Sequence, residues 1–138
     1  MERREISLHV KQWVQHESSD ERELFEVKTK GELVELSTFS RITYTDNNDV
    51  KIELKWRPQR NGEANILEIK QPAHSMFFDL SQNTLTPYHT PQGVWQLEIA
   101  TKQMSWQSLV DGHQLDLAYE IKHEQEMLGK YDFQLIYK

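Results

Sequence analysis

Apolar and polar residues alternate along most of this chain. That period of two predicts strands with one dry face and one wet face. Ile6, Leu8, Val10 and Val14 share one face of a first strand. After a polar loop from His16 to Arg22, Phe25, Val27 and Thr29 alternate with Glu26, Lys28 and Lys30. Gly31 interrupts that run and predicts a bulge or a bend. Phe39 to Thr45 reads as a strand, closed by Asp46-Asn47-Asn48-Asp49, a tetrad suited to a hairpin turn. Val50, Ile52, Leu54 and Trp56 then oppose Lys51, Glu53 and Lys55 in the cleanest strand pattern of the chain.

Arg57 to Gly62 is expected as a turn or loop, and Ile66–Lys70 and Met76–Leu80 as further strands. Ser81 to Thr84 makes a tight turn and Leu85 begins the return. Val94 to Lys102 forms a long strand with Trp95, Leu97 and Ile99 on one face, and Met104 to Leu109 follows. Asp111-Gly112 is the strongest hairpin signal. Leu115, Leu117, Tyr119 and Ile121 oppose Asp116, Glu120 and Lys122, and Tyr131, Phe133, Leu135 and Tyr137 end the chain. Glu120 to Lys130 has room for one helical turn and no more.

About ten closely spaced strands with short turns imply an antiparallel meander. A meander of this many strands must hide its edges, and closing into a barrel does so. The apolar last strand needs a partner, and the first strand is the expected one, which is the main argument for closure. The expected fold is therefore all-β: one antiparallel barrel of eight to ten strands spanning residues 1–138. A two-sheet sandwich is the alternative.

The 138 residues suit one domain. Sixteen basic against 22 acidic residues give a net charge of −6. Nucleic-acid binders draw affinity from basic stripes, and here Arg3-Arg4 and Arg57 to Arg60 are both short, so no nucleic-acid partner is expected. The absence of cysteine excludes disulfides, thiolate metal sites and a Cys nucleophile. No long apolar run follows Met1, so neither a signal peptide nor a membrane span is expected, and the chain reads as cytoplasmic.

Tyr88-His89-Thr90-Pro91-Gln92-Gly93 is the one segment that looks chosen for more than alternation. Together with Gly31-Glu32-Leu33, Ile42 to Thr45, Leu97 to Thr101 and the Leu115-x-Leu117-x-Tyr119 core, it resembles the YwiB-like proteins, a bacterial family of unknown function. The most specific piece is Tyr88-x-Thr90-Pro91-x-Gly93, followed by a strand ending in Thr101. The resemblance implies a calycin-like barrel, similar in outline to lipocalins, and implies no activity. One departure stands out. The family carries an Arg-x-Gly turn where this chain reads Lys70-Gln71-Pro72, so a ligand role of that arginine would be lost here or moved to Lys70.

Thr90 precedes a proline and is pushed toward extended backbone, Pro91 suits the first corner of a turn, and Gly93 suits its last position. The plain reading is a well-formed connection at a barrel rim. The functional reading holds Tyr88, His89, Thr90 and Gly93 at a barrel mouth, where ligand sites tend to lie, with His74 and Asp79 approaching from the neighbouring strand. Trp56, Trp95, Tyr119, Phe133 and Tyr137 fall on apolar faces. They either fill a core or line a cup for a planar or apolar ligand, with Tyr119 the candidate lining residue. Arg41 shares a face with Phe39 and Thr43, opposite Ile42 and Tyr44. Pointing inward it would need an anionic partner or ligand; the outward placement is the expected one.

None of the six histidines forms a His-x-His pair or a helical metal motif, so no metal is expected. The glycines do not cluster into a phosphate cradle, and no cofactor is expected. No nucleophile elbow occurs. The chain therefore reads first as a non-enzymatic protein that binds a small molecule or a protein partner at the barrel mouth. A filled barrel that acts through its surface or as a homodimer is the alternative. A hydrolase-type enzyme using His89 as general base is the third reading.

Overall fold

The structure is a computed structural model that describes residues 2–57 and 66–138. The described residues form ten strands and no helix: β1 (Glu2–His16), β2 (Arg22–Glu35), β3 (Ser40–Thr45), β4 (Lys51–Trp56), β5 (Ile66–Lys70), β6 (Ser75–Asp79), β7 (Thr84–Thr90), β8 (Gly93–Leu109), β9 (Gly112–His123) and β10 (Glu126–Tyr137). The loop expected over Arg57 to Gly62 lies, beyond Arg57, outside the described residues.

All ten strands belong to one antiparallel sheet with the order β6-β5-β4-β3-β2-β1-β10-β9-β8-β7. The sheet curls into a nearly closed barrel, not a sandwich of two sheets. Alternation places one face of each strand inside, and register stacks those faces into layers. Leu33, Ile42, Leu54 and Ile69 lie in register across β2 to β5, and all are buried. Val10, Leu135 and Leu115 form the matching layer across β1, β10 and β9.

The first and last strands pair as expected, from Leu8↔Tyr137 to His16↔Gly129. This pairing does not close the barrel, however. It lies in the middle of the sheet order, and the seam falls between β6 and β7, which are consecutive in the chain and share no ladder. Side chains cover that gap. Phe78 on β6 is fully buried, its ring meeting Tyr119 edge-on at 4.7 Å.

Several local expectations shift. Glu120 to Lys130 holds no helical turn: β9 and β10 run through it and meet at Glu124-Gln125. Both residues have positive φ (51° and 69°), as a tight type I′ hairpin requires. Asp111-Gly112 does mark a hairpin, but the turn residues are Val110 and Asp111, and Gly112 opens β9 opposite Leu109. The two segments read as Val94–Lys102 and Met104–Leu109 are one strand, β8, with a register shift between Thr101 and Gln103. The extra residue reverses which parity faces inward, so Ile99 and Met104 are both buried. The Asp46–Asp49 turn forms as expected. The Asp46 carboxylate accepts from the Asn48 and Val50 amides at 2.8 and 3.0 Å, and Asp49 sits at φ 61°.

Gly31 makes no bulge, because β2 keeps its register with β1 and β3 on either side of it. Its need is close approach. A Cβ there would lie 2.5 Å from the Thr43 carbonyl oxygen and 2.6 Å from Leu8 Cδ1. A backbone oxygen held in a ladder cannot easily retreat. Gly31→Ala is therefore expected to destabilise the fold by about 1–3 kcal/mol, the range for overpacking. Urea denaturation should show a lower midpoint at unchanged slope, and an unchanged midpoint would refute the close-packing account.

Candidate functional site

The seam is built by its turn. The Asp79 carboxylate accepts from the Ser81 amide and hydroxyl at 2.9 and 2.7 Å, and from the Gln82 side chain at 3.5 Å. These bonds hold the Asp79 carboxyl below the usual carboxylate range, the Ser81 hydroxyl contributing most. The Thr84 hydroxyl donates to the Phe77 carbonyl, so β6 and β7 touch near the turn. Away from it they enclose a cavity of about 310 Å³.

Residues from both sides of the seam line this cavity. His74, from the β5–β6 turn, and Met76 form one wall, and Thr86 and Tyr88 of β7 form another. Trp95 and Leu97 of β8, Ile121 of β9, and Leu128 and Tyr131 of β10 complete it. Alternation explains the β7–β8 part: Thr86↔Leu97 and Tyr88↔Trp95 are cross-strand pairs on the inner face. The Trp95 ring stacks on His123 at 4.5 Å and 9°, and His74 meets Tyr88 edge-on at 6.4 Å.

Among the described residues no Asp, Glu, Lys or Arg lines the cavity. Its polarity comes from hydroxyl, indole and imidazole groups. Two of these are orphans among the described residues: Thr86 Oγ1 and His74 Nδ1 are both buried and have no hydrogen-bond partner. Thr86 is 1% exposed. A buried polar group without a partner costs about 1–3 kcal/mol, so such groups stand out in a native fold. Neither bonds the other, so they form no nucleophile–base pair of the kind covalent catalysis needs.

A second cavity of about 240 Å³ opens beside the β3–β4 turn, where exposed Phe25, Asn47 and Asn48 border it, and is lined further in by Gln12, Tyr44, Met76, Tyr119 and Phe133 among others. Gln12 Nε2 donates to the Tyr119 hydroxyl at 3.1 Å. Burial pushes the Tyr44 and Tyr119 phenols up, so both stay neutral. A concavity of about 520 Å³ lies on the outside around Gly31 and is open to solvent. Two of its cations, Arg3 and Lys30, are paired with Glu32 and Glu5 at 3.6 and 3.4 Å, so it reads as an ordinary charged surface.

Residues 8–135 match the family model described as Domain of unknown function (DUF1934). The chain belongs to this family. Its fold is also that of a solved structure, the ywiB protein from Bacillus subtilis. The two share 18% identity and align with a TM-score of 0.73, over 99% of this chain and 92% of that one. The YwiB-like resemblance read from the motifs thus holds, and the likeness shows the fold. No curated protein matches the chain.

In this DUF1934 barrel the six residues proposed from sequence do not form one cluster. Tyr88 faces the seam cavity and is 44% exposed at its mouth. Tyr119 faces inward but lines the second cavity. His89 pairs with Val94 on the opposite, outer face, where it is exposed and has no partner among the described residues. The general-base reading of His89 needs a pocket and a neighbouring carboxylate, and the structure supplies neither. Thr90 and Gly93 hold the hairpin: the Thr90 hydroxyl donates to the Gly93 carbonyl at 2.8 Å and accepts from the Gln92 amide at 3.2 Å. Arg41 lies on the outer face between Val34 and Lys55, half-buried, as Ile42 and Tyr44 take the inner one.

Of the two approaching residues, His74 does reach Tyr88, while Asp79 is held in its turn. Lys70 points outward opposite Glu53, and Gln71 lines the second cavity instead. Thr86 escaped the sequence reading. Its signal was the inner-face run Thr84-x-Thr86-x-Tyr88, polar where its neighbours are apolar.

Burial disfavours the charged imidazole and lowers the His74 pKa from its ordinary 6.5. The unfolded chain therefore takes up that proton at a higher pH than the folded one. Stability from this group is full above pH 6.5 and is lost as pH falls through the lower folded value. Asp79 and Glu26, also lowered, add their losses from more acid pH, starting from ordinary values of 3.8 and 4.5. His74→Gln is expected to flatten the fall in stability as pH drops below 6.5, read as urea midpoints; an unchanged slope would show that His74 is not the buried group that titrates.

Proposed function

We propose that this DUF1934 domain is a non-catalytic binding protein for a small uncharged molecule held in the seam cavity. The observation that carries the reading is the Thr86 hydroxyl, buried and without a partner among the described residues in the wall of an aromatic cavity. A ligand that bonds Thr86 and His74 satisfies both orphans at once. Trp95, Tyr88 and Tyr131 offer ring faces to a planar or apolar body. At about 310 Å³ the cavity lies at the small end of ligand sites. A charged ligand finds no counter-ion there among the described residues and would lose its hydration uncompensated. The cytoplasm is the proposed compartment.

A second reading, an interaction module, rests on the unladdered edges of β6 and β7. Phe77, Leu80 and Leu85 lie exposed beside them. Such edges can accept a strand from a partner.

Native mass spectrometry of gently purified protein, compared with the denatured sample, tests both. The small-molecule reading expects a reproducible mass excess that is lost on denaturation, and the interaction reading expects a dimer or a co-purified chain. Thr86→Val sharpens the test. It removes an unpaired hydroxyl, so the ligand-free barrel should gain about 1 kcal/mol in urea denaturation. The same variant should lose the mass excess. A bare polypeptide mass from wild type, or a Thr86→Val protein that keeps the excess, would overturn the site.

A further inference from the structure

The seam cavity and the second cavity share one side chain. Met76 lines both. Beside it the partition is a pair of stacked rings, Tyr131 on the seam side and Tyr119 on the inner side, 5.0 Å apart and nearly parallel at 9°. The tyrosine pair is fixed. Phe78 packs on Tyr119, and Gln12 holds its hydroxyl. Met76 has no such anchor among the described residues and is half-buried. Methionine is unbranched, with three rotatable bonds, and fills irregular gaps without specifying one shape. The partition is therefore rigid on one side and deformable on the other.

The two chambers also differ in chemistry. Around the seam no formal charge lines the wall among the described residues. The second chamber is apolar through Val10, Val27, Ile52 and Ile69, and its lining also carries the amides of Gln12 and Gln71, with Asn48, Asp46 and Glu26 at its mouth. An anionic head group would meet like charge there, and amides suit a neutral hydroxyl or carbonyl.

We infer that Met76 is a swinging partition and that the two cavities form one bore for a rod-shaped, uncharged ligand with an apolar middle and polar ends. This rests on the seam cavity being a ligand site and extends it inward. A short ligand occupies the seam chamber alone. A longer one pushes Met76 aside and reaches the amide end.

The test is isothermal titration calorimetry with straight-chain alcohols from n-butanol to n-dodecanol on the full chain. Each buried methylene is worth about fourfold in affinity. Wild type is expected to gain affinity with length beyond what the seam chamber holds. Because Met76 also borders the seam chamber, the readout is the dependence on chain length: Met76→Ala should strengthen the longest alcohols about tenfold more than the shortest. Met76→Phe should weaken the longest more than the shortest. Dodecanoate should bind at least tenfold more weakly than dodecanol.

Fold-independent support comes from wild type itself. The Met76 methyl resonance, assigned with Met76→Leu, should shift with dodecanol and not with butanol. Alcohols that bind wild type and both variants alike, or a methyl signal indifferent to length, would overturn the partition and leave the seam site standing. Dodecanoate binding as tightly as dodecanol would overturn the uncharged class. No heat from any alcohol would overturn the bore, while the mass-spectrometric test still judges the seam site separately.

Discussion

The ladder between β1 and β10 holds two meanders together. Strands β1 to β6 form one and β7 to β10 form the other, and the sheet joins them at a single pairing of the two chain ends. That ladder runs nine residue pairs, and Ser7 and Lys138 extend it with reciprocal backbone bonds of 3.1 Å. Its partners are more than a hundred residues apart, so the chain must order most of itself before this pairing is rewarded. Once formed, the ladder sets the curl of everything else. It fixes which strands become the outermost pair, and β6 and β7 have no strand left to pair with except each other.

The candidate site follows from that constraint. A β6–β7 ladder would have closed the barrel and placed backbone bonds where the cavity now lies. Instead Asp79 ties the turn, Thr84 reaches the Phe77 carbonyl, and the strands part above it. The cavity fills the angle between them, with aromatic rings from β8 and β10 in its floor. Open hydrogen-bonding capacity and apolar surface therefore coincide at one place, which is the usual composition of a small-molecule site.

Much of this architecture was written in the alternation. The inner faces of β1, β4 and β9 could be read residue by residue, because a strand with one dry face repeats every two positions. The break in β8 could be seen too, since Ile99 and Met104 have opposite parity, but parity alone does not tell a bulge from a turn. The Glu124-Gln125 turn was hidden because neither residue is one that usually takes positive φ, so tertiary pairing overrode local preference. The seam was hidden for a different reason. Sequence says that the ends of the chain pair, but not whether that pair lies at the edge or the centre of the sheet. The site inherited this uncertainty: Tyr88 was legible as a rim residue, but His89, one position on, had to face away from it, and the threonine that matters sits two residues earlier.

Unpaired buried polar atoms are not all alike, and the contrast strengthens the case for the seam. Thr101 Oγ1 and Trp106 Nε1 also lack partners among the described residues. Thr101 stands beside the β8 bulge, where the extra residue disturbs the ladder, so its isolation has a local backbone cause. Trp106 leans on Trp56 at 5.9 Å, and ring packing fixes where its N–H points. Arg41 Nε lies on the outer face, away from either inner cavity. Thr86 and His74 have neither excuse. Thr86 lies on the regular inner face of β7 and His74 in the β5–β6 turn across the seam, they border the same cavity, and each keeps a hydrogen-bonding group without a partner among the described residues. A serviceable core would carry valine at position 86. The threonine makes physical sense when a second molecule completes its bond.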